Sequence, residues 1–531
     1  MREIRYDRQL RLWGNEGQSS IEAAAICILG ADALATEIGK SLVLAGVGSI
    51  VIIDGEFVTD DDLGSNFFYE DAQLGQQRGQ AAASLLQELN PSVKVSGIDA
   101  QITKLQGQDI LAYGKFSLVI ATNLLESRAA ILSDEIFQAG IPFINCRTYG
   151  LVGYIRVSAA EHHIMNTRTE NPRPDFRLDA PFPELVALFD ELDFGAMDHE
   201  KFKHTPYIFL LMQALKMFRE NKKDPQAFPK SYAERKQIVE LISSLSHSQG
   251  LDEENLEEAV AAVNRCMHPT LIPSSVQEIF DSPKCSENTK TTDPFWMICY
   301  ALKQFVERHG YLPVSDSLPD MSSDSKSYAR LLNAFRQKAE QDAEEMLELT
   351  REVEQTRGTE ALISQEQCRK FCKGSRFVAI LRGTPIKHDM ENGWNKAVEE
   401  LSTSHGEDND VAPITWFILL RAADRFMEVK KRHPGTNGVP MSLDVALLSN
   451  CVAEVIADSN VKEKTIAAGN VPRKAIEEFC RFGSSFPHVT AALIGGIVAQ
   501  EAIKLTTNQY IPLNDTLIIN LHSQKSWTAR F

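Results

Sequence analysis

Over residues 20–160, short apolar, β-branched runs alternate with amphipathic stretches. "AAICILG", "SIVIIDG", "VKVSGID", "FSLVIAT", "IPFINCR" and "LVGYIRV" predict strands. Between them "LATEIGKSLVLAG" and "RGQAAASLLQELN" predict helices, the second stopped by Asn90–Pro91. Strand–helix alternation implies a mostly parallel sheet covered on both faces. From about residue 165 the pattern changes. "NTRTENPRPDFRLDAPFPEL" is a proline- and charge-rich connector, and roughly 300 mainly helical residues follow. Breaks such as "LIPSSV", "LPDMSSDSKS" and "KRHPGTNGVP" separate the helices. No fixed-period repeat is visible, which argues against a solenoid. The end of the chain returns to α/β character. "PHVTAALIGGIVAQEAIKLTT" predicts a helix rich in small residues, suited to close packing on a sheet, and "DTLIINL" a last strand. The predicted architecture is an α/β domain, residues 1–165 and 481–531, interrupted by a helical insertion, 166–480.

Composition narrows the possible partners. A chain of 531 residues is too long for one ordinary core. Its net charge of −17 argues against a nucleic-acid or anionic-membrane surface. That charge suits a basic protein partner, although acidic chains are common without one. The nine cysteines include no CxxC pair, so neither a zinc ribbon nor a disulfide framework is expected, and no metal site. Cys368 and Cys372, one helical turn apart, read as partly buried thiols rather than ligands. The N-terminus "MREIRYDRQLRLWG" has no apolar signal segment, and no apolar run reaches transmembrane length. A reducing compartment, cytoplasm and nucleus, is the expectation.

Candidate chemistry centres on "CILGADALATEIGK", a strand entering a helix through a tight turn. Nucleotide-binding turns of the Rossmann type use G-x-G-x-x-G, and here the three slots hold Gly30, Asp32 and Ala35. Gly30 suits the turn, and Ala35 suits close helix–strand packing. Asp32 places a carboxylate where phosphates belong. Two unit charges about 4 Å apart cost about 4 kcal/mol at an effective dielectric near 20, roughly a thousandfold in affinity. The acidic residue that holds ribose hydroxyls is present as Asp54. By itself the motif leaves open any βαβ unit with a polar turn.

Further segments carry a resemblance. "YDRQLRLWG", "TEIGKSLVLAGVGSIVIIDGEFV", "LGQQRGQAAASLLQELNP", "CRTYGLVGYIRV" and "TAALIGGIVAQEAIK", in this order, resemble the adenylation domains of the activating enzymes for ubiquitin and ubiquitin-like modifiers. These have a ThiF/MoeB-like, Rossmann-type core. Active members adenylate the modifier's C-terminus with ATP and magnesium and then take it onto a cysteine. The resemblance implies that four features of that site are altered here. The turn carries Asp32 and Ala33. Gly64 and Ser65 stand at an Asn and an Arg. Arg78 stands at a Lys, and Asn123 at the metal-linked Asp, where a carboxamide holds magnesium poorly. It therefore implies a pseudo-adenylation domain that binds no cofactor and has no catalytic residue.

Such domains pair with an active one. The degraded turn, the long insertion, and "RLDAPFPEL", "HTPYIFLL", "IPSSVQEIF" and "EFCRFG" resemble inactive subunits of the Nedd/Rub type. SUMO-type inactive subunits are shorter and keep the glycine turn better. The implied partners are a catalytic adenylating subunit that binds ATP and magnesium, a Nedd/Rub modifier and, transiently, a conjugating enzyme, with cullins as the main acceptors. Arg8 matches the family arginine that reaches the partner's γ-phosphate, whereas Arg11 reads as structural, paired with an acidic neighbour. The insertion would be half of a catalytic-cysteine domain without its nucleophile. Within it Tyr328, Leu331, Leu332 and Phe335 form an apolar stripe that reads either as core or as a contact with the partner. Two further readings are an autonomous nucleotide-dependent Rossmann enzyme and a helical scaffold with a vestigial α/β part.

Overall fold

The alternating pattern closes into one eight-stranded sheet. The computed structural model describes residues 2–165, 173–246, 253–359, 361–403, 411–483 and 485–530, apart from the side chains of 2–4 and 392–393. The strands are β1 (Ala25–Leu29), β2 (Ser49–Ile53), β3 (Lys94–Ile98), β4 (Leu118–Thr122), β5 (Phe143–Tyr149), β6 (Val152–Ser158), β7 (Asp515–Asn520) and β8 (Lys525–Ala529). Their order is β8-β7-β6-β5-β4-β1-β2-β3. From β3 to β5 all neighbours are parallel, while β5–β6, β6–β7 and β7–β8 are antiparallel. The parallel half is the doubly wound part. Its central strand β1 pairs Cys27 with Val51 on one side and Val119 on the other, and helices cover both faces, so "AICIL" is apolar throughout. The winding reverses at β1, which opens a crevice beyond the ends of β1 and β4.

The helix Ala33–Ala45 leaves that crevice. Asp32 caps its start, and Gly46, at φ 84°, caps its end by donating to the carbonyls of Leu42 and Val43. Against it lies His488–Thr507, and a Cβ at Gly495 would come within 2.9 Å of the Glu37 Cβ. Close packing is therefore why this helix is rich in small residues. Its length and mean hydropathy, 1.3, also match a membrane span, which the apolar runs had not suggested; half of that window is buried in the protein.

The chain divides into two compact units, residues 1–162 with 381–531, and residues 163–380. The second boundary differs from the expected 480. Helices Trp394–Thr403, Pro413–Lys430, Met441–Ala457 and Arg473–Phe482 belong to the α/β unit, where Trp394, Phe417, Phe426 and Phe479 share a core with Tyr149, Tyr154 and Ile518. "PITWFILLRAADRF" is apolar almost all round, so it must be covered on more than one side. In the other unit the 32-residue helix Ser325–Thr356 serves two cores, Leu331 and Phe335 in one, Met346 and Leu349 in the other. The first part of the proline-rich connector, 166–172, lies outside the described residues.

Candidate functional site

The crevice beyond β1 and β4 gathers six of the predicted residues, and each has a partner within the protein or a packing role. Gly30 sits at φ 112°, and a Cβ there would lie 2.3 Å from the Thr122 hydroxyl oxygen, so only glycine fits. Asp32 turns its carboxylate onto its own helix. Oδ1 accepts from the Ala35 N–H at 2.9 Å, and Oδ2 accepts from the Asn123 side-chain amide at 2.9 Å. A helix N-terminus attracts anions, and this one is filled by Asp32. Ala35 is buried beneath the turn.

Asn123 completes the arrangement. It holds φ 50°, donates through Nδ2 to Asp32, and accepts through Oδ1 from the Thr148 N–H at 2.8 Å. An aspartate here would face Asp32 with like charge and no proton to give. The altered turn and the altered metal position are thus coupled by one hydrogen bond.

Asp54, at the end of β2, is buried and used internally. Its Oδ2 accepts from the Ala31 N–H at 2.8 Å, and its Oδ1 accepts from the Glu56 N–H at 2.8 Å. Arg78 grips the same carboxylate through Nε at 2.9 Å and Nη2 at 2.8 Å, and reaches Asp62 at 3.3 Å. Burial by itself raises the Asp54 carboxyl, and Arg78 and the Glu56 N–H oppose that. Burial likewise disfavours the Arg78 charge, but Asp54 and Asp32 outweigh it and raise its pKa. Tyr69, buried alongside, donates to the Ala31 carbonyl at 2.7 Å. The carboxylate expected to hold ribose hydroxyls is thus engaged by Arg78 and the Ala31 N–H, and the turn expected to hold phosphates carries Asp32.

Ser65 stands apart from this cluster. Its hydroxyl donates to the Asp61 carbonyl at 2.8 Å within the short helix Asp60–Ser65, and exposed Gly64 has open space beside it. The neighbouring Asn66 was not anticipated. It is buried, and its Oδ1 accepts from the Thr36 hydroxyl at 3.1 Å and the Phe68 N–H at 3.0 Å. Tyr69, Thr122 and Asn66 carry no local signal, because their roles depend on chain segments brought together only by the fold.

Arg8 lies outside the crevice, exposed on the helix Arg2–Ala23. The helix is held from its other side. Tyr6 is buried and its hydroxyl accepts from Asn90 at 3.0 Å, while Trp13 packs edge-on to Tyr510 at 5.3 Å. Gly14, at φ 70°, kinks the helix just beyond. Arg11 pairs with Asp7 at 3.1 Å, the acidic neighbour expected of it.

In the second unit the apolar stripe divides. Leu331 and Phe335 are fully buried in their own core, whereas Tyr328 and Leu332 are only half-buried. The helical repeat points two of the four inward. All nine cysteines are free thiols, and eight are buried. Burial pushes Cys285 up to about 11 and Cys266 and Cys480 up to about 12, the opposite of an activated nucleophile. Among the described residues no group of three or more metal-binding side chains assembles.

Comparison with known proteins agrees with this geometry. The ThiF family model matches residues 6–530. A Caenorhabditis elegans protein named "NEDD8-activating enzyme E1 regulatory subunit" is 43% identical over 538 residues, covering 99% of this chain and 98% of its own. A Danio rerio protein of the same name is 37% identical, covering 99% and 98%. The Arabidopsis thaliana "NEDD8-activating enzyme E1 regulatory subunit AXR1" is 32% identical, covering 99% and 95%. The chain therefore belongs to the ThiF family and, within it, to the NEDD8-activating enzyme E1 regulatory subunits.

Proposed function

We propose that this chain is the non-catalytic half of a heterodimeric activating enzyme for a NEDD8-type modifier. The observation that carries this reading is the crevice itself: Asp32 fills the phosphate seat and Asn123 holds it there. The catalytic partner binds ATP and magnesium, adenylates the modifier's C-terminus, takes it onto a cysteine and passes it to a conjugating enzyme, with cullins as the main acceptors, in the cytoplasm and nucleus. This chain completes the paired fold and lends Arg8. Arginine suits that task because its charge is permanent and its planar fork matches phosphate oxygens. Its exposure, with Tyr6 and Trp13 anchoring the other side of the helix, supports the assignment.

ATP–pyrophosphate exchange tests the reading. The chain alone is expected to be inactive, and active with partner and modifier. Arg8→Ala is expected to lower exchange at least tenfold while the heterodimer stays intact by gel filtration. An unchanged rate removes Arg8 from the reaction. Nucleotide binding by the isolated chain, abolished by Asp54→Ala, would instead favour an autonomous Rossmann enzyme.

A further inference from the structure

The helix that carries Arg8 is broken in two places. Tyr6, at φ −110° and ψ 17°, and Gly14, at φ 70° and ψ 178°, leave helical geometry, so residues 7–13 form a separate piece of about two turns. A helix that short does not hold its shape or direction in water unaided. Both are set by the contacts that grip its ends. At one end Trp13 is buried against Tyr510, and Gln509 donates to the Trp13 carbonyl at 3.0 Å. At the other end the polar grip comes from one side chain, Asn90.

We propose that Asn90 is a positioning residue for adenylation of the modifier, holding residues 7–13 so that Arg8 faces the partner's nucleotide. This rests on the assignment of Arg8 made above. Asn90 ends the helix Arg78–Leu89 ahead of Pro91 and is 2% exposed. Its amide fills all four of its hydrogen-bonding positions. Nδ2 donates to the Tyr6 hydroxyl at 3.0 Å and to the Val43 carbonyl at 3.0 Å. Oδ1 accepts from the Arg5 guanidinium and from the Ser92 N–H at 3.3 Å. The Val43 and Ser92 bonds fix the amide to the α/β unit in one orientation. The Tyr6 and Arg5 bonds pass that orientation to the two residues that stand two and three places before Arg8.

The seat leaves Tyr6 little play. A Cβ at Gly46 would lie 2.4 Å from the Tyr6 hydroxyl oxygen, so the ring rests directly on the residue that caps the helix Ala33–Ala45. Val43, which shares the Asn90 amide with Tyr6, lies in the last turn of that helix. Precision here matters to the chemistry. A misplacement of about 1 Å at a group that binds the reacting phosphates can cost about a hundredfold in rate. Without the Asn90 amide the segment keeps its Trp13 anchor but loses the bonds that set its direction at the Arg8 end, so part of that effect is expected.

The test is ATP–pyrophosphate exchange by the full heterodimer with modifier, over a range of ATP and of modifier concentrations. Asn90→Ala is expected to lower kcat/KM for ATP about fivefold and to leave the KM for the modifier unchanged. Tyr6→Phe removes one hydroxyl and keeps the ring, and is expected to lower kcat/KM for ATP about twofold. In an Arg8→Ala background neither substitution is expected to cost a further loss, because the group they place is gone. Full activity of both variants beside a slow Arg8→Ala overturns the proposal and leaves the Arg8 assignment standing. The same losses with and without Arg8 also overturn it, because Asn90 then serves stability alone. An unchanged rate in Arg8→Ala overturns the assignment and the proposal together. Where Asn90→Ala fails to fold, Tyr6→Phe with and without Arg8 decides.

Discussion

Replacing Asn123 by aspartate isolates the contact on which the crevice depends. The new carboxylate still accepts from the Thr148 N–H, so that bond at 2.8 Å survives. What is lost is the proton donated to Asp32 across 2.9 Å, and a second negative charge takes its place. At an effective dielectric near 20, two unit charges at that separation repel by about 6 kcal/mol. Both positions are half-buried, so solvent screens part of this, and uptake of one shared proton relieves more. The expected net loss of stability at pH 8 is about 2–3 kcal/mol, after that screening and proton uptake. The sign with pH follows from the shared proton. The dyad's folded pKa rises above the ordinary aspartate value of about 3.9, so its penalty is largest above the folded value and shrinks as pH falls. Paired urea unfolding curves at pH 8 and pH 4.5 read this directly. In an Asp32→Gly background the same substitution is expected to cost under about 0.5 kcal/mol, because its opponent is gone. A penalty equal at both pH values, or one that persists without Asp32, refutes the coupling.

Other outcomes follow from single contacts. Burial predicts that iodoacetamide at pH 7.5 leaves Cys27, Cys146, Cys266, Cys285, Cys299 and Cys480 unlabelled in the native chain, with labelling at Cys451 read by peptide mass. Glu234 is held down to about 2, first by the Lys230 N–H and then by Lys222. A depressed carboxyl stabilises above its ordinary pKa, so this contribution disappears as pH falls from about 4.3 toward 2. Glu234→Gln is expected to flatten the acid limb of the helix signal in that window. A Cβ at Gly97 would lie 2.4 Å from the Gly79 carbonyl, which is helix backbone and cannot rotate away. Gly97→Ala should cost about 1–3 kcal/mol by urea denaturation, and a neutral result would mean that the helix Arg78–Leu89 shifts freely.

Periodicity alone determined the alternating α/β core, because strands buried on both faces must read as apolar runs and their crossover helices as amphipathic ones. "AICIL", "SIVII" and "LVIAT" therefore announced β1, β2 and β4 without any tertiary information. The small residues of His488–Thr507 likewise signalled close packing, and "CILGADALATEIGK" showed that a carboxylate stood in a phosphate seat. What local pattern could not decide was partnership. Whether "PITWFILLRAADRF" covers the sheet or joins the insertion depends on which apolar surface is left open nearby, and that is fixed only when β6 and β7 pair. Leu331 and Phe335 share a helical stripe with Tyr328 and Leu332, yet only the surrounding helices determine which pair is enclosed. The same holds in the crevice. Asp32, Asp54, Arg78 and Asn123 could each be named from the chain, but their hydrogen bonds span as many as 91 positions. Only the fold, by placing β1 between β2 and β4, turns three departures and the retained Asp54 into two hydrogen-bonded pairs, Asp32 with Asn123 and Asp54 with Arg78.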